Sequence, residues 1–201
     1  VLIPRFETEE LVRRGIEVCK VDKVDTLVDI GTGSGIIPIS IASNVEIPNV
    51  IGTDISYEAL EVAAENTRRT LQIEPGLNIK ENFGSCIDWG SFFLLQWDLL
   101  EPLKQIDFSK SRSILITANL PYVWEWEKDA MSEDTQFEPD VALFGDSKEG
   151  FDIYRRFFQQ LSEFEFWTGS EASEPVQKFT CLIEFGMWQR DLAEEELSKY
   201  D

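Results

Sequence analysis

The chain has 201 residues, 43% of them hydrophobic and 12% aromatic, so it is long enough to bury a substantial core as one domain. It carries 18 Lys and Arg residues against 38 Asp and Glu residues, and this formal charge of −20 argues against a general binder of polyphosphate backbones. It has no histidine and only three cysteines without Cys-x-x-Cys spacing, which argues against a metal site, a disulfide framework and Ser-His or Cys-His catalysis.

Apolar patterns of two periods alternate along the chain. Helical spacing and capping residues predict helices at 8–18 with Thr8 as N-cap, 36–42, 57–70, 151–166 and 189–200. Apolar runs bounded by turn residues predict strands at 26–30, 50–54, 92–98, 114–118 and 179–185. The stretch that follows Lys128 and runs to Gly150 is predicted to be a long irregular connection of the kind that forms lids, and 167–177 a surface loop. This alternation predicts an α/β fold with a mostly parallel sheet and helices on both faces.

A glycine-rich turn follows the first predicted strand. Its sequence is Asp29-Ile30-Gly31-Thr32-Gly33-Ser34-Gly35, and glycines let the backbone come close to a ligand at a helix N-terminus. The next strand ends at Asp54, which is placed to accept hydrogen bonds from two ribose hydroxyls. The dinucleotide pattern Gly-x-Gly-x-x-Gly is not met, because the third glycine comes one residue early. The two features together predict a nucleoside cofactor, whereas either alone is also compatible with a tight connection or with Asp54 as a helix N-cap.

The third predicted strand ends at Asp98, at the same edge of the sheet. In a nucleoside site, Asp98 or the following Leu99 is expected to meet the adenine. A turn-capping role for Asp98 ahead of Pro102 is equally compatible with the sequence.

The four residues Asn119-Leu120-Pro121-Tyr122 end the buried run 114–118. They place a carboxamide, backbone carbonyls and an aromatic face at the carboxyl edge of the sheet, where open α/β sheets build their sites. The Asn119 side-chain oxygen and the Leu120 carbonyl can each accept one N–H, and Tyr122 can stack on a flat group. This set suits a planar, uncharged NH2 group. Read alone, the same four residues could form a plain turn.

The residues at 1–12 are similar to the Val-Leu-Ile-Pro-Arg-Pro-Glu-Thr-Glu signature of the peptide chain release factor N5-glutamine methyltransferases. The stretches 29–35, 119–122, 137–145 and 150–156 agree with that family in the same order, so the resemblance covers nearly the whole chain. It implies the Rossmann-like class I fold of S-adenosylmethionine-dependent methyltransferases. Position 6 is Phe and position 120 is Leu, where the family usually has Pro. The loss of proline at 120 costs rigidity, but the acceptor assigned there is a backbone carbonyl, which Leu also supplies.

The resemblance also implies an activity, a partner and a set of site residues. The activity is transfer of a methyl group from S-adenosylmethionine to the glutamine side-chain amide in the Gly-Gly-Gln motif of class I release factors. Residues expected to hold the glutamine are Asn119, Leu120, Pro121 and Tyr122. Residues expected at the cofactor are Asp29 at its methionine end, Asp98 and Leu99 at its adenine, and Gly31, Thr32, Gly33, Gly35, Asp54, Ile55 and Asn119.

Residues 1–201 are expected to be one catalytic domain that lacks the helical N-terminal domain and the last strands of the family. No apolar run of about eighteen residues and no signal peptide is evident, so we expect a cytoplasmic protein that does not span a membrane. Two other functions remain open. One is an amino-methyltransferase that acts on adenine N6 or guanine N2 of nucleic acid, because these groups present the same NH2 geometry. The other is a binding module that keeps the fold without catalysis.

Overall fold

The computed structural model describes residues 1, 5–73, 86–88, 91–101, 103, 106, 108, 111–124, 139–144, 150–163, 176 and 178–200. Residues Ile3 and Pro4 of the opening signature, most of the expected lid and nearly all of the 167–177 loop lie outside these ranges.

The structure contains six strands and six α-helices in the described residues. The strands are β1 Thr26–Ile30, β2 Asn49–Asp54, β3 Cys86–Asp88, β4 Phe92–Gln96, β5 Ser113–Asn119 and β6 Lys178–Glu184. The helices are α1 Phe6–Asp22, α2 Ile36–Ala42, α3 Tyr57–Leu71, α4 Asp140–Leu143, α5 Asp152–Ser162 and α6 Arg190–Leu197, the last preceded by a 3-10 turn at Met187–Gln189.

The strands form one sheet in the order β3-β4-β2-β1-β5-β6. All neighbouring pairs are parallel except β3 with β4, so the mostly parallel sheet predicted from the sequence is confirmed. The chain builds outward from β1 through β2 and β4, then returns to β5 on the other side of β1. Because Ile30 pairs with both Thr53 and Ala118, the three central strands end at the same level. In such sheets ligands bind where the strand order reverses, beyond the carboxyl ends of the strands.

Two apolar clusters sandwich the sheet. Leu27, alternating along β1 with Val28, packs on one face with Leu11 of α1 and Leu60 of α3. Val28 packs on the other face, in the cluster that contains Phe157 of α5. Helices therefore cover both faces, as expected from strands that are apolar on both sides. No helix among the described residues is both long and apolar enough to cross a membrane.

Several predicted boundaries are wrong in detail. Helix α1 begins at Phe6 rather than at Thr8, and its N-cap position is Arg5. Thr8 is buried inside the first turn, where its hydroxyl accepts a hydrogen bond from the side chain of Asn119. The third predicted strand ends at Gln96, not at Asp98. Strand β3, of three residues, was not predicted, because so short a segment carries little periodic signal.

The C-terminal half shows similar shifts. Helix α5 spans 152–162 rather than 151–166, and the last helix covers 190–197 rather than 189–200.

Helix α3 is capped by Ser56, whose hydroxyl accepts from the Ala59 N–H at 3.1 Å. Asp54 therefore is not the N-cap of α3, and its carboxylate is used elsewhere.

Candidate active site

A cavity of about 400 Å³ lies beyond the carboxyl ends of β1, β2, β4 and β5, where the strand order reverses. Its volume falls in the range of small-molecule sites. The following predicted site residues line it: Gly31, Gly33, Asp54, Ile55, Asp98, Leu99, Asn119, Leu120 and Pro121. The fold thus brings the glycine turn, the β2 acid and the Asn-x-Pro-Tyr stretch to one cavity, although they are far apart in sequence.

The glycine turn is held by the acid of the neighbouring strand. Asp54 accepts a hydrogen bond from the Gly33 N–H at 2.8 Å through Oδ2, and one from the Ser56 N–H at 2.9 Å through Oδ1. Burial raises the pKa of Asp54. Gly31 and Gly33 have φ of +69° and +54°, a region that favours glycine. A Cβ on Gly33 would meet nothing closer than the Gly31 carbonyl at 4.0 Å, so open space lies above this backbone.

The other predicted residues of the turn lie beneath the cavity. Asp29 is fully buried, and its Oδ1 accepts from the Thr117 hydroxyl at 2.6 Å. Burial raises the pKa of Asp29 to about 7, against the lowering effect of the Thr117 and Thr32 hydroxyls. Asp29, Thr32 and Gly35 are not among the residues that line the cavity. Gly35 packs α2 against α3, because a Cβ there would lie 2.9 Å from Ile39 Cδ1 and 3.1 Å from Ala63 Cβ.

Asp98 and Leu99, which follow strand β4, form another part of the cavity wall. The Asp98 carboxylate makes an ion pair with the guanidinium of Arg156 on α5, and both residues line the cavity. Leu99 has φ of +52°, a left-handed conformation that costs a non-glycine residue about 1–2 kcal/mol. Such strained positions cluster at functional sites.

Asn119 carries the most unusual polar group of the cavity. Its Nδ2 donates to the Thr8 hydroxyl at 3.2 Å, which leaves Oδ1 to be satisfied elsewhere. Oδ1 is buried and has no hydrogen bond to any of the described residues. An unpaired buried acceptor costs about 1–3 kcal/mol. A ligand N–H that reached Oδ1 would recover this cost.

Tyr122 lies beside the cavity rather than in its lining. Its hydroxyl donates to Glu184 Oε1 at 3.5 Å, and its backbone carbonyl accepts from the Gln189 side chain at 3.0 Å. Burial, followed by the charge of Glu184, raises the pKa of Tyr122 to about 12. Burial also raises the pKa of Glu184, while a hydrogen bond from Thr8 lowers it.

Sequence reasoning missed the side chains that hold the Asn-x-Pro-Tyr stretch. These are Thr8, Tyr154, Glu184 and Gln189, which lie on α1, on α5, at the end of β6 and in the 3-10 turn. Thr8 and Tyr154 fall within stretches that resemble the methyltransferase family, but periodicity assigned them only to helices. A buried polar residue looks the same as a surface one until its partner is known.

The site therefore has two halves. Gly31, Gly33 and Asp54 offer close backbone and a carboxylate that is held in place on both oxygens. Asn119 and Leu120 line the same cavity, and the Asn119 Oδ1 is a buried acceptor without a partner among the described residues. No set of three His, Cys, Asp or Glu groups in the described part of the chain is arranged to hold a metal ion.

Comparison with known proteins gives related sequences and related folds. The chain is 34% identical over 165 residues to a release factor glutamine methyltransferase of Bacillus subtilis, covering 80% of the chain and 50% of the relative. Its identity to the enzyme of the same name from Staphylococcus aureus is 35% over 161 residues, covering 80% of the chain and 49% of the relative. The chain thus spans about half the length of these relatives. Residues 7–84 match the family model described as ribosomal protein L11 methyltransferase (PrmA).

Two solved structures have the same fold. A ribosomal protein L11 methylase from Lactobacillus delbrueckii subsp. bulgaricus aligns with a TM-score of 0.55 at 22% identity, over 98% of this chain and 70% of that one. The catalytic domain of hMettl16, solved with an RNA hairpin, aligns with a TM-score of 0.56 at 14% identity, over 100% of this chain and 64% of that one. These similarities confirm the Rossmann-like class I methyltransferase fold.

Proposed function

The chain is a homologue of the release factor glutamine methyltransferases, as its opening signature predicts, and we propose that it performs their reaction. In this reaction a methyl group passes from S-adenosylmethionine to the side-chain amide nitrogen of a glutamine in the Gly-Gly-Gln motif of a class I release factor. The proposal places its action in the cytoplasm, in translation termination. It assigns the two halves of the cavity to the methyl donor and to the glutamine.

The glycine turn and Asp54 are proposed to bind the cofactor. S-adenosylmethionine supplies an electrophilic methyl group on a sulfonium whose leaving group is neutral. Asp54 accepts the ribose hydroxyls with the free lone pairs of its two oxygens, since each oxygen already accepts one backbone N–H. The open space above Gly33 lets the ligand approach the backbone. Asp98 and Leu99 form the wall proposed for the adenine, and Ile55 lines the same cavity.

The remaining predicted cofactor residues act indirectly in this proposal. Asp29, Thr32 and Gly35 shape the turn from below rather than touching the cavity lining. Gly35 sets how closely α2 approaches α3. Asp29 supports the base of the turn through its hydrogen bond from the Thr117 hydroxyl.

The proposed substrate rests mainly on one observation, the unpaired side-chain oxygen of Asn119. Its Oδ1 is a buried acceptor with no partner among the described residues, in a residue that lines the cavity with Asp54. In the structure Nδ2 faces Thr8, and Oδ1 is the end of the carboxamide without a partner among the described residues. A carbonyl oxygen in this place accepts one N–H of a primary amide, and the Leu120 carbonyl is proposed to accept the other.

These two hydrogen bonds also address the weakness of the nucleophile. The lone pair of an amide nitrogen is delocalised into its carbonyl group, so the nitrogen reacts poorly. Acceptors on both N–H groups push electron density onto the nitrogen and stabilise positive charge that develops there during transfer. As the N–C bond forms, the S–C bond breaks and S-adenosylhomocysteine leaves as a neutral thioether. The methylated nitrogen then releases one N–H proton, which water can take up. The main remaining task is therefore to align the nitrogen with the methyl group, and no strong base is needed. Pro121 and Tyr122 are proposed to shape the site around the amide.

A nucleic-acid amine would fit the same acceptors in principle. The charge of −20 opposes the approach of a phosphate backbone, which is drawn to basic surfaces. The similarity to the hMettl16 domain concerns the fold only, at 14% identity. The release factor is therefore the proposed partner.

The test uses the full-length protein with labelled S-adenosylmethionine and either a class I release factor or nucleic acid. We expect label on the glutamine of the Gly-Gly-Gln motif. Asn119→Ala should lower the methylation rate at least about 100-fold while the Kd for the cofactor changes less than about threefold. Asn44→Ala, at an exposed asparagine just past the C-terminal end of α2 and outside the cavity lining, is the control and should behave as wild type. Label found only in nucleic acid, or an Asn119→Ala enzyme at full rate, would refute the proposal.

A further inference from the structure

Leu120 is held through its backbone by a buried tyrosine. The Leu120 N–H donates to the Tyr154 hydroxyl at 3.0 Å. The same hydroxyl donates a short hydrogen bond to the backbone carbonyl of Glu184. Tyr154 thus joins the ends of β5 and β6 from a position on α5, 34 residues beyond Leu120.

Proton counting shows what this contact leaves free. A neutral phenol has one proton to donate, and burial raises the pKa of Tyr154 well above its ordinary value, so the group stays protonated. The Glu184 carbonyl is its near acceptor, and the Leu120 carbonyl lies farther away, at 3.4 Å. The Leu120 carbonyl therefore keeps its capacity to accept a hydrogen bond from a ligand.

The Tyr154 ring is firmly placed. It is fully buried, and it stacks on Phe151 at 5.4 Å between ring centroids. Phe185 packs edge-on against it, at 6.2 Å between ring centroids. A hydroxyl on so confined a ring defines the position of the amide that it accepts.

We propose that Tyr154 is a positioning residue: by holding the Leu120 N–H it fixes the backbone on the N-terminal side of Leu120, and so the direction in which the Leu120 carbonyl meets the substrate amide. The inference rests on the proposed function. It also depends on the identity of residue 120, because only a residue with a backbone N–H can donate to the phenol. A proline at this position has no N–H and fixes its own φ, so it would neither need nor make this contact.

Gln189 holds the other end of the same stretch. Its side-chain amide donates to the Tyr122 carbonyl at 3.0 Å and to the Gly150 carbonyl at 3.2 Å. The stretch from 119 to 122 is therefore fixed at Asn119 by Thr8, at Leu120 by Tyr154 and at Tyr122 by Gln189. Of the three, Tyr154 is the one that contacts the residue whose carbonyl is assigned to the substrate.

The first test removes only the hydroxyl. Tyr154→Phe in the full-length protein should lower kcat for release factor methylation by about 10- to 100-fold, since small misplacements of a reacting group have effects of this size. The Kd for S-adenosylmethionine should stay within about twofold of wild type, because Tyr154 does not line the cavity. The control is Tyr200→Phe, which removes a hydroxyl that donates to Glu196 of α6 at 3.1 Å. This change should leave both kcat and the Kd for S-adenosylmethionine unchanged. An unchanged kcat in Tyr154→Phe would overturn the proposal.

The second test is a double-mutant cycle with Leu120→Pro. This change removes the N–H that Tyr154 accepts, so Tyr154→Phe should lower kcat less than about twofold in the Leu120→Pro background. A purely structural role of the phenol, through Glu184, would give the same loss in both backgrounds. That equal loss would overturn the proposal.

A third measurement does not depend on activity. The Leu120 amide should exchange its hydrogen at least about tenfold faster in Tyr154→Phe than in wild type, while the amide of Ile116 within β5 should change little. Equal exchange at Leu120 would overturn the positioning role even if Leu120→Pro failed to fold. Absence of methylation by the wild-type protein would instead refute the proposed function, so the two failures are distinguishable.

Discussion

Asp54 gives the most direct prediction for cofactor binding. Its two carboxylate oxygens accept the N–H groups of Gly33 and Ser56 at 2.8 and 2.9 Å. In Asp54→Asn the side chain keeps its shape but has one acceptor oxygen, so its NH2 group must face one of the two N–H donors. Either that donor loses its partner and the glycine turn shifts, or the side chain rotates away. In both cases the charge that accepts the ribose hydroxyls is gone.

The size of the effect follows from the bonds lost. A hydrogen bond to a charged group contributes about 1.5–3 kcal/mol, and each 1.4 kcal/mol is a tenfold change in affinity. Loss of one such bond predicts a Kd for S-adenosylmethionine about 10- to 150-fold higher than in wild type. Isothermal titration calorimetry with S-adenosylmethionine and with S-adenosylhomocysteine measures the change.

A matched control separates the hydrogen bonds from the overall charge. Glu61→Gln removes one carboxylate from an exposed position on α3, outside the cavity lining. We expect its Kd to stay within about twofold of wild type, since exposed charges are screened by salt. A Kd for Asp54→Asn that equals the control value would refute the role given to the β2 acid.

Two further predictions concern stability. Gly35→Ala should lower the free energy of unfolding by about 2–5 kcal/mol in urea titrations, because φ is +75° and the new Cβ would lie 2.9 Å from Ile39 Cδ1; a loss below about 1 kcal/mol would contradict this reading. Burial raises the pKa of Asp29 from 3.8 to about 7. Between about pH 4 and 7 the folded state therefore holds a proton that the unfolded state releases. The contribution of this group to stability falls as the pH rises through that range. Asp29→Asn should therefore match wild type below about pH 4 and exceed it by at most about 4 kcal/mol above pH 7; a gain that does not vary with pH would show that the titration of Asp29 is not its cause.

The extent to which sequence predicted this fold depended on how local the signal was. Strand β1 and helix α2 have the predicted bounds, because a run of β-branched residues, three glycines and an apolar helix lie within 26–42. Helix α1 begins two residues before its prediction because Thr8, a good N-cap by propensity, is used as a buried hydrogen-bond partner of Asn119. The antiparallel strand β3 depends on its pairing with β4, and a segment of three residues is too short to predict that pairing.

Sequence alone determined which groups reach the carboxyl edge of the sheet. The three strands are followed by the glycine turn or end at Asp54 and Asn119. Because parallel strands all point the same way, these groups lie at the carboxyl edge of the sheet whatever surrounds them. Only the tertiary structure decided how these groups are held. The bond from Asn119 to Thr8 spans 111 residues and that from Leu120 to Tyr154 spans 34, and neither separation leaves a periodic trace. The sequence thus predicted a backbone carbonyl as the acceptor at residue 120, whereas packing of α5 against the sheet provided the phenol that accepts from the Leu120 N–H.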